Sequence, residues 1–106
     1  GTIDRTEEPL ACAQRELQEE TGYSAENWET LGHLYPTPGY TNEVLYLFLA
    51  SGLTKGEQQH DEGENIKVRW IPLAEVEEMI DNGTINDAKT IIAIFKYVRK
   101  LRNEYN

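Results

Sequence analysis

Only one cysteine, Cys12, occurs in the 106 residues, so no intrachain disulfide can form, and a reducing, cytoplasmic setting is the simpler expectation. With no His close to it in the sequence, Cys12 is read as a small, semi-buried thiol rather than a nucleophile. Positive charge is scarce: 10 Lys and Arg stand against 19 Asp and Glu, a formal net charge of −9. This balance leaves no basic patch to release counterions from a phosphate backbone, which argues against nucleic acid and against an anionic membrane surface as partners. The basic residues that do cluster, Lys96, Arg99, Lys100 and Arg102, suit the C-terminal end of a last helix, where they complement its dipole. Long apolar runs are also missing. The longest, VLYLFLA at 44–50, is far below the roughly 18 residues a membrane-spanning helix needs, and no signal peptide is expected. Neither an internal repeat nor a linker interrupts the chain, so its length reads as one domain.

The residues present divide into recognisable segments. Pro9 suits the first turn of a helix, Glu7 and Glu8 lie on its favourable N-terminal side, and Leu10, Ala13 and Leu17 recur at helical spacing, which predicts a helix over about 9–21. Aromatic and branched residues in WETLGHLYP (28–36) and EVLYLFLASGL (43–53), separated by the Pro and Gly of YPTPGYTN, predict two strands joined by a loop. The polar stretch 54–65 reads as an exposed loop, after which IKVRWIP alternates as a third strand ending at Pro72. Leu73, Val76, Met79 and Ile80 mark a second helix that closes at Asn82 and Gly83. Asn86 or Asp87 then caps a third, carrying Ala88, Ile91, Ile92, Ile94, Phe95, Val98 and Leu101 to about 103. A helix, three strands and two helices in that order indicate an α+β fold with a mixed or antiparallel sheet.

One stretch conflicts with local physics. In RELQEETGY (15–23) a helix places Glu16, Glu19 and Glu20 at i, i+3 and i+4 on one face, just before it stops at Gly22. Each like-charged pair at that spacing destabilises an isolated helix by roughly 0.2–0.5 kcal/mol. The negative end of the helix dipole opposes each exposed carboxylate by a further 0.3–1 kcal/mol or so. Two accounts are open on these residues alone: a solvated acidic face, or a divalent cation with oxygen ligands that neutralises the cluster.

The spacing around the cluster resembles a known family. Gly1, Glu7, Arg15, Glu16, Glu19, Glu20 and Gly22, with aliphatic Leu17 and hydrophobic Tyr23, reproduce the Nudix box: G, five residues, E, seven residues, R, E, an aliphatic residue, any residue, E, E, any residue, G and a hydrophobic residue. Seven identities at fixed spacing make a chance match well under roughly one in a million for a chain of this length. The resemblance implies a Nudix hydrolase with a mixed sheet and flanking helices. It also implies that Glu16, Glu19 and Glu20 hold a divalent metal, Mg²⁺ first, with Mn²⁺ fitting the same all-oxygen ligands. Glu7 and Arg15 resemble the structural pair of the box, and Gly1 and Gly22 the backbone positions that shape its loop and end its helix. A departure is Thr6, where relatives often carry glycine.

The segment after the box is similar to the ADP-ribose pyrophosphatase group. Pro38 stands sixteen residues beyond Gly22, within TPGYTNEVLYLFLA (37–50), and NDAKT (86–90) also fits. The resemblance implies that Pro38, Gly39 and Glu43 bind substrate, although turn geometry alone also accounts for a Pro-Gly pair. Hydrolysis of the diphosphate of ADP-ribose to AMP and ribose 5-phosphate is the implied activity, with Glu20 among the catalytic residues and a glutamate before the third strand as base. Glu64 fits the base best, with Glu62 and His60 as alternatives. Family members carry strands before the box that complete the sheet, build much of the adenosine pocket and form a homodimer. Since the motif begins at Gly1, residues 1–106 are expected to be the C-terminal portion of a Nudix domain lacking those strands. Two rival readings stay in place: hydrolysis of another nucleoside diphosphate sugar, and a truncated module that binds metal without turnover.

Overall fold

The computed structural model of the protein describes residues 7–56 and 67–105, in two compact units, Gly1–Val68 and Arg69–Asn106. In the first unit Pro9 opens helix α1 (Pro9–Thr21), its fixed φ suiting the first turn and its missing N–H falling where no intrahelical acceptor exists. The Cys12 N–H bonds the Glu8 carbonyl at 2.9 Å and begins the helical ladder. At the far end Gly22 adopts a left-handed conformation, φ 79°, ψ 2°, and its N–H closes on the Gln18 carbonyl. The Thr21 hydroxyl donates to the Leu17 carbonyl at 2.6 Å and accepts from the Tyr23 N–H at 3.0 Å, so the last turn passes straight into the next element.

That element is β1 (Tyr23–Leu34), which pairs antiparallel with β2 (Leu45–Lys55) from Tyr23↔Lys55 to Leu34↔Leu45. The register shifts between Thr30 and Gly32, where Leu31 is the extra residue of a bulge. Trp28 meets Phe48 edge to face across the ladder, with ring centroids 6.4 Å apart. Helix α1 lies against both strands. The strands begin and end differently from the sequence expectation: β1 starts five residues before Trp28 because backbone pairing to Ser51–Lys55 recruits the polar Tyr23–Asn27, which carries no strong apolar alternation. Tyr35 and Pro36 pass instead to the connecting loop.

The expected third strand is not present over the described part of 66–72. Residues 67–72 carry no strand, and among the described residues the sheet consists of β1 and β2 alone. Alternation gives a segment two different faces, but a strand also needs a neighbouring backbone to complete its hydrogen bonds, and among the described residues no strand pairs with this one. Trp70 is correspondingly exposed, at 67%. The antiparallel pair is the portion of the expected mixed sheet that two consecutive strands joined by a loop can make.

In the second unit Pro72 precedes α2 (Leu73–Asp81), and Asn82 ends it with its N–H on the Glu78 carbonyl. The Asn82 side chain accepts from both the N–H and the hydroxyl of Thr84. Asp87 caps α3 (Ala88–Tyr105): its carboxylate accepts from the Thr90 N–H at 3.0 Å and the Thr90 hydroxyl at 2.7 Å. Leu73, Val76, Met79 and Ile80 are half-buried as the periodicity predicts, whereas Ala88 and Phe95 of the expected α3 stripe are exposed. Cys12 is the one buried hydrophobic side chain of the core among the described residues. No helix among them is long and apolar enough to cross a membrane.

Candidate functional site

Helix α1 gathers its charged side chains around Arg15. The guanidinium grips Glu7 with two parallel hydrogen bonds, Nε to Oε2 at 2.8 Å and Nη2 to Oε1 at 3.0 Å. This fork-on-carboxylate geometry spans eight residues and ties the segment before the helix to its second turn. Nη1 donates to Glu19 Oε2 at 3.0 Å and lies 3.1 Å from Glu16 Oε1. One guanidinium thus serves three carboxylates. The hydrogen bonding of the guanidinium to Glu7 is the first cause that raises the already high pKa of Arg15, so its charge is permanent.

Beneath this group, Nη2 also donates to the Cys12 sulfur at 3.9 Å. Burial, then the nearby Glu7 charge, pushes the Cys12 thiol pKa up. A thiol kept protonated in this way is a poor nucleophile, which agrees with a packing role.

Glu16 and Glu19 share Arg15 Nη1, and Glu20 is an exposed residue of the same last turn. Among the described residues no three His, Cys, Asp or Glu side chains stand close enough together to hold a metal ion. The physical reason lies in the charges: carboxylates at i, i+3 and i+4 repel, and here the nearest positive charge drawing two of them together is Arg15. The donor chemistry nevertheless fits a hard divalent cation. Two carboxylate oxygens already converge on one cationic atom, and Mg²⁺ often takes only one or two carboxylates, completing its shell with water and substrate phosphate.

Gly22 is buried, and its carbonyl accepts the Gly56 N–H at 2.7 Å, joining the helix end to the residue after β2. Pro38 and Gly39 occupy the centre of a turn whose Tyr40 N–H bonds the Thr37 carbonyl at 3.1 Å; with Pro second and Gly third at φ 90°, it is a type II turn. Pro38, Gly39 and Glu43 are all exposed, and their loop closes the hairpin at the end opposite Tyr23↔Lys55, where the helix enters. Gly1, His60, Glu62 and Glu64 lie outside the described residues. Two features escaped the sequence reading: Arg15 reaching Glu16 and Glu19 as well as Glu7, and the bond from Gly56 to Gly22. The i, i+4 spacing of Arg15 and Glu19 was the available signal for the first; nothing local marks the second.

The model of the NUDIX domain family matches residues 1–93. The chain is similar to the methanol dehydrogenase activator of Bacillus methanolicus, 38% identical over 96 residues, which covers 89% of this chain and 52% of that protein. It is 35% identical over 96 residues to the ADP-ribose pyrophosphatase of Bacillus subtilis (strain 168), again 89% of this chain and 52% of the relative. Against the GDP-mannose pyrophosphatase of Cronobacter sakazakii the identity is 35% over 97 residues, 89% of this chain and 50% of that one. A crystal structure of an ADP compounds hydrolase superposes with a TM-score of 0.84 at 30% identity, covering 98% of this chain and 56% of the other. The chain therefore spans about half the length of the curated relatives it matches.

Proposed function

This chain belongs to the NUDIX domain family of hydrolases, and on that premise we propose that the full protein carrying it hydrolyses the diphosphate of ADP-ribose to AMP and ribose 5-phosphate with a divalent metal. The observation that carries the proposal is the end of α1, where Glu16 and Glu19 meet at one cationic nitrogen. The ADP-ribose pyrophosphatase relative, the ADP compounds hydrolase neighbour and the Pro38–Gly39 turn support the choice of substrate.

Bound to Glu16, Glu19 and Glu20, a Mg²⁺ or Mn²⁺ ion would neutralise charge on the phosphate oxygens and lower the pKa of an attacking water. The protein's own groups do the rest. The fork between Arg15 and Glu7 holds the helix against the segment before it, and Gly22 stops the helix so that Glu19 and Glu20 stay in its last turn. Glu64 takes the proton of the water as its oxygen bonds to one phosphorus, with Glu62 or His60 as the alternative base; the bridging P–O bond breaks with its electron pair on the leaving phosphate, where the proton finally rests. Pro38, Gly39 and Glu43 contact the substrate from the hairpin loop. The reading includes a homodimer of the full chain and a cytoplasmic setting, for which the single Cys12 is suited.

GDP-mannose pyrophosphatases of similar identity favour a second reading, hydrolysis of another nucleoside diphosphate sugar. Turnover of ADP-ribose and GDP-mannose by the full chain, with Mg²⁺, Mn²⁺ or chelator, decides between them. Faster release of AMP and ribose 5-phosphate in a metal-dependent reaction supports the first reading. Preferred turnover of GDP-mannose replaces it with the second, and metal binding without turnover of either leaves a binding module.

A further inference from the structure

Arg15 carries five N–H donors, and its two edges meet different partners. Nε and one Nη2 hydrogen serve Glu7, the other Nη2 hydrogen serves Cys12, and Nη1 faces Glu19 and Glu16. The two edges of the guanidinium differ in kind. The edge on Glu7 is bidentate, and that carboxylate side chain is only 16% exposed. The Nη1 edge makes one contact to each of two carboxylates, whose side chains are 21% (Glu16) and 53% (Glu19) exposed. A bidentate pair is harder to separate than single contacts, of which the one to Glu19 is also open to water.

We infer that Arg15 Nη1 is the resident cation of the Glu16–Glu19 pair, and that a divalent metal enters by exchanging for it while the opposite edge of Arg15 stays on Glu7. Arg15 is on this account a positioning residue: it holds two mutually repelling carboxylates to a common centre while no metal is present. A Mg²⁺ ion binds oxygen at about 2.0–2.1 Å, much closer than the 3.0 and 3.1 Å at which the same oxygens now stand from Nη1. An ion bonded to those two oxygens therefore competes with Nη1 for them, and the like charge of the two cations favours exchange. The inference rests on Glu16 and Glu19 being metal ligands, as proposed above.

The test follows the Arg15 guanidinium by ¹⁵N–¹H NMR in the full chain while Mg²⁺ is added, with calorimetry on the same sample to measure binding. The expected result is saturable binding with movement and faster rotation of the Nη1 signal and a stationary Nε–H. Saturable binding with every Arg15 signal unchanged overturns the exchange but leaves the metal site standing. Absence of binding overturns both. Calorimetry on Arg15→Gln supplies an independent arm: removal of a competing cation should tighten Mg²⁺ binding roughly fivefold or more. Weaker binding by a folded Arg15→Gln protein would show that Arg15 shapes the site without competing for it.

Discussion

Replacing Gly22 by alanine tests the end of the glutamate helix directly. Gly22 holds φ 79°, ψ 2°, a left-handed conformation that costs an L-residue about 1–2 kcal/mol. Alanine also stiffens the unfolded chain, which offsets about 0.4–1 kcal/mol. The backbone balance is then about 1 kcal/mol of destabilisation, enough to lower the melting temperature by roughly 2–4 °C in a protein of the relatives' length. Crowding adds to it, because Gly22 is buried and its carbonyl is held by Gly56 at 2.7 Å, leaving the turn little room to relax. Gly39→Ala is the internal control: Gly39 has φ 90°, but nothing lies within 4 Å of an added Cβ. It shares the backbone penalty without the crowding. Thermal melts of the full chain without metal should therefore rank wild type above Gly39→Ala, and Gly39→Ala above Gly22→Ala. Gly22→Asn should recover part of the loss, since asparagine visits this conformation more readily than alanine. If Gly22→Ala melts at the wild-type temperature, or above Gly39→Ala, the constrained helix stop is not what organises this end of α1.

Four further outcomes follow from the same geometry. Glu20→Gln should abolish metal-dependent turnover while leaving the metal-free melting temperature unchanged or slightly higher, because it relieves repulsion of a few tenths of a kcal/mol; a clear drop in that temperature would count against the metal-site assignment. Native Cys12, buried and with its thiol pKa raised, should react with iodoacetamide at pH 8 at least about tenfold more slowly than a free thiol; equal rates would contradict its burial. Hydrogen bonds from the Thr90 hydroxyl and then the Thr90 N–H lower the Asp87 pKa, so its contribution to stability is present above the ordinary carboxylate value of about 3.9 and is lost as pH falls through the folded value. The melting advantage of wild type over Asp87→Asn at neutral pH should thus vanish in strong acid, and an advantage that persists there would mean the cap does not depend on charge. Glu64→Gln should lower kcat by 10² to 10⁴ with KM little changed; if it keeps more than about a third of wild-type kcat while Glu62→Gln loses activity, the base is Glu62.

Much of this protein is local and could be read from the chain. Pro9, the Leu10–Ala13–Leu17 spacing and Gly22 specify α1 to the residue, because a helix depends on its own dihedrals and on bonds four residues apart. The two later helices follow from the same periodicity, and the box that marks the family is a spacing along one loop and one helix. The fate of 67–72 was not local. Its alternation is that of a strand, yet strand formation is settled by whether another backbone lies alongside, and among the described residues only β1 and β2 pair. The start of β1 at Tyr23 was likewise decided by its partner, since Lys55 and Thr54 recruit residues whose own pattern is weak. The charges show the same division. Sequence spacing placed three glutamates on one helix face, but which cation they meet depends on side-chain rotamers in three dimensions, and there the fork of Arg15 reaches Glu7, eight residues back, with one edge and Glu16 and Glu19 with the other.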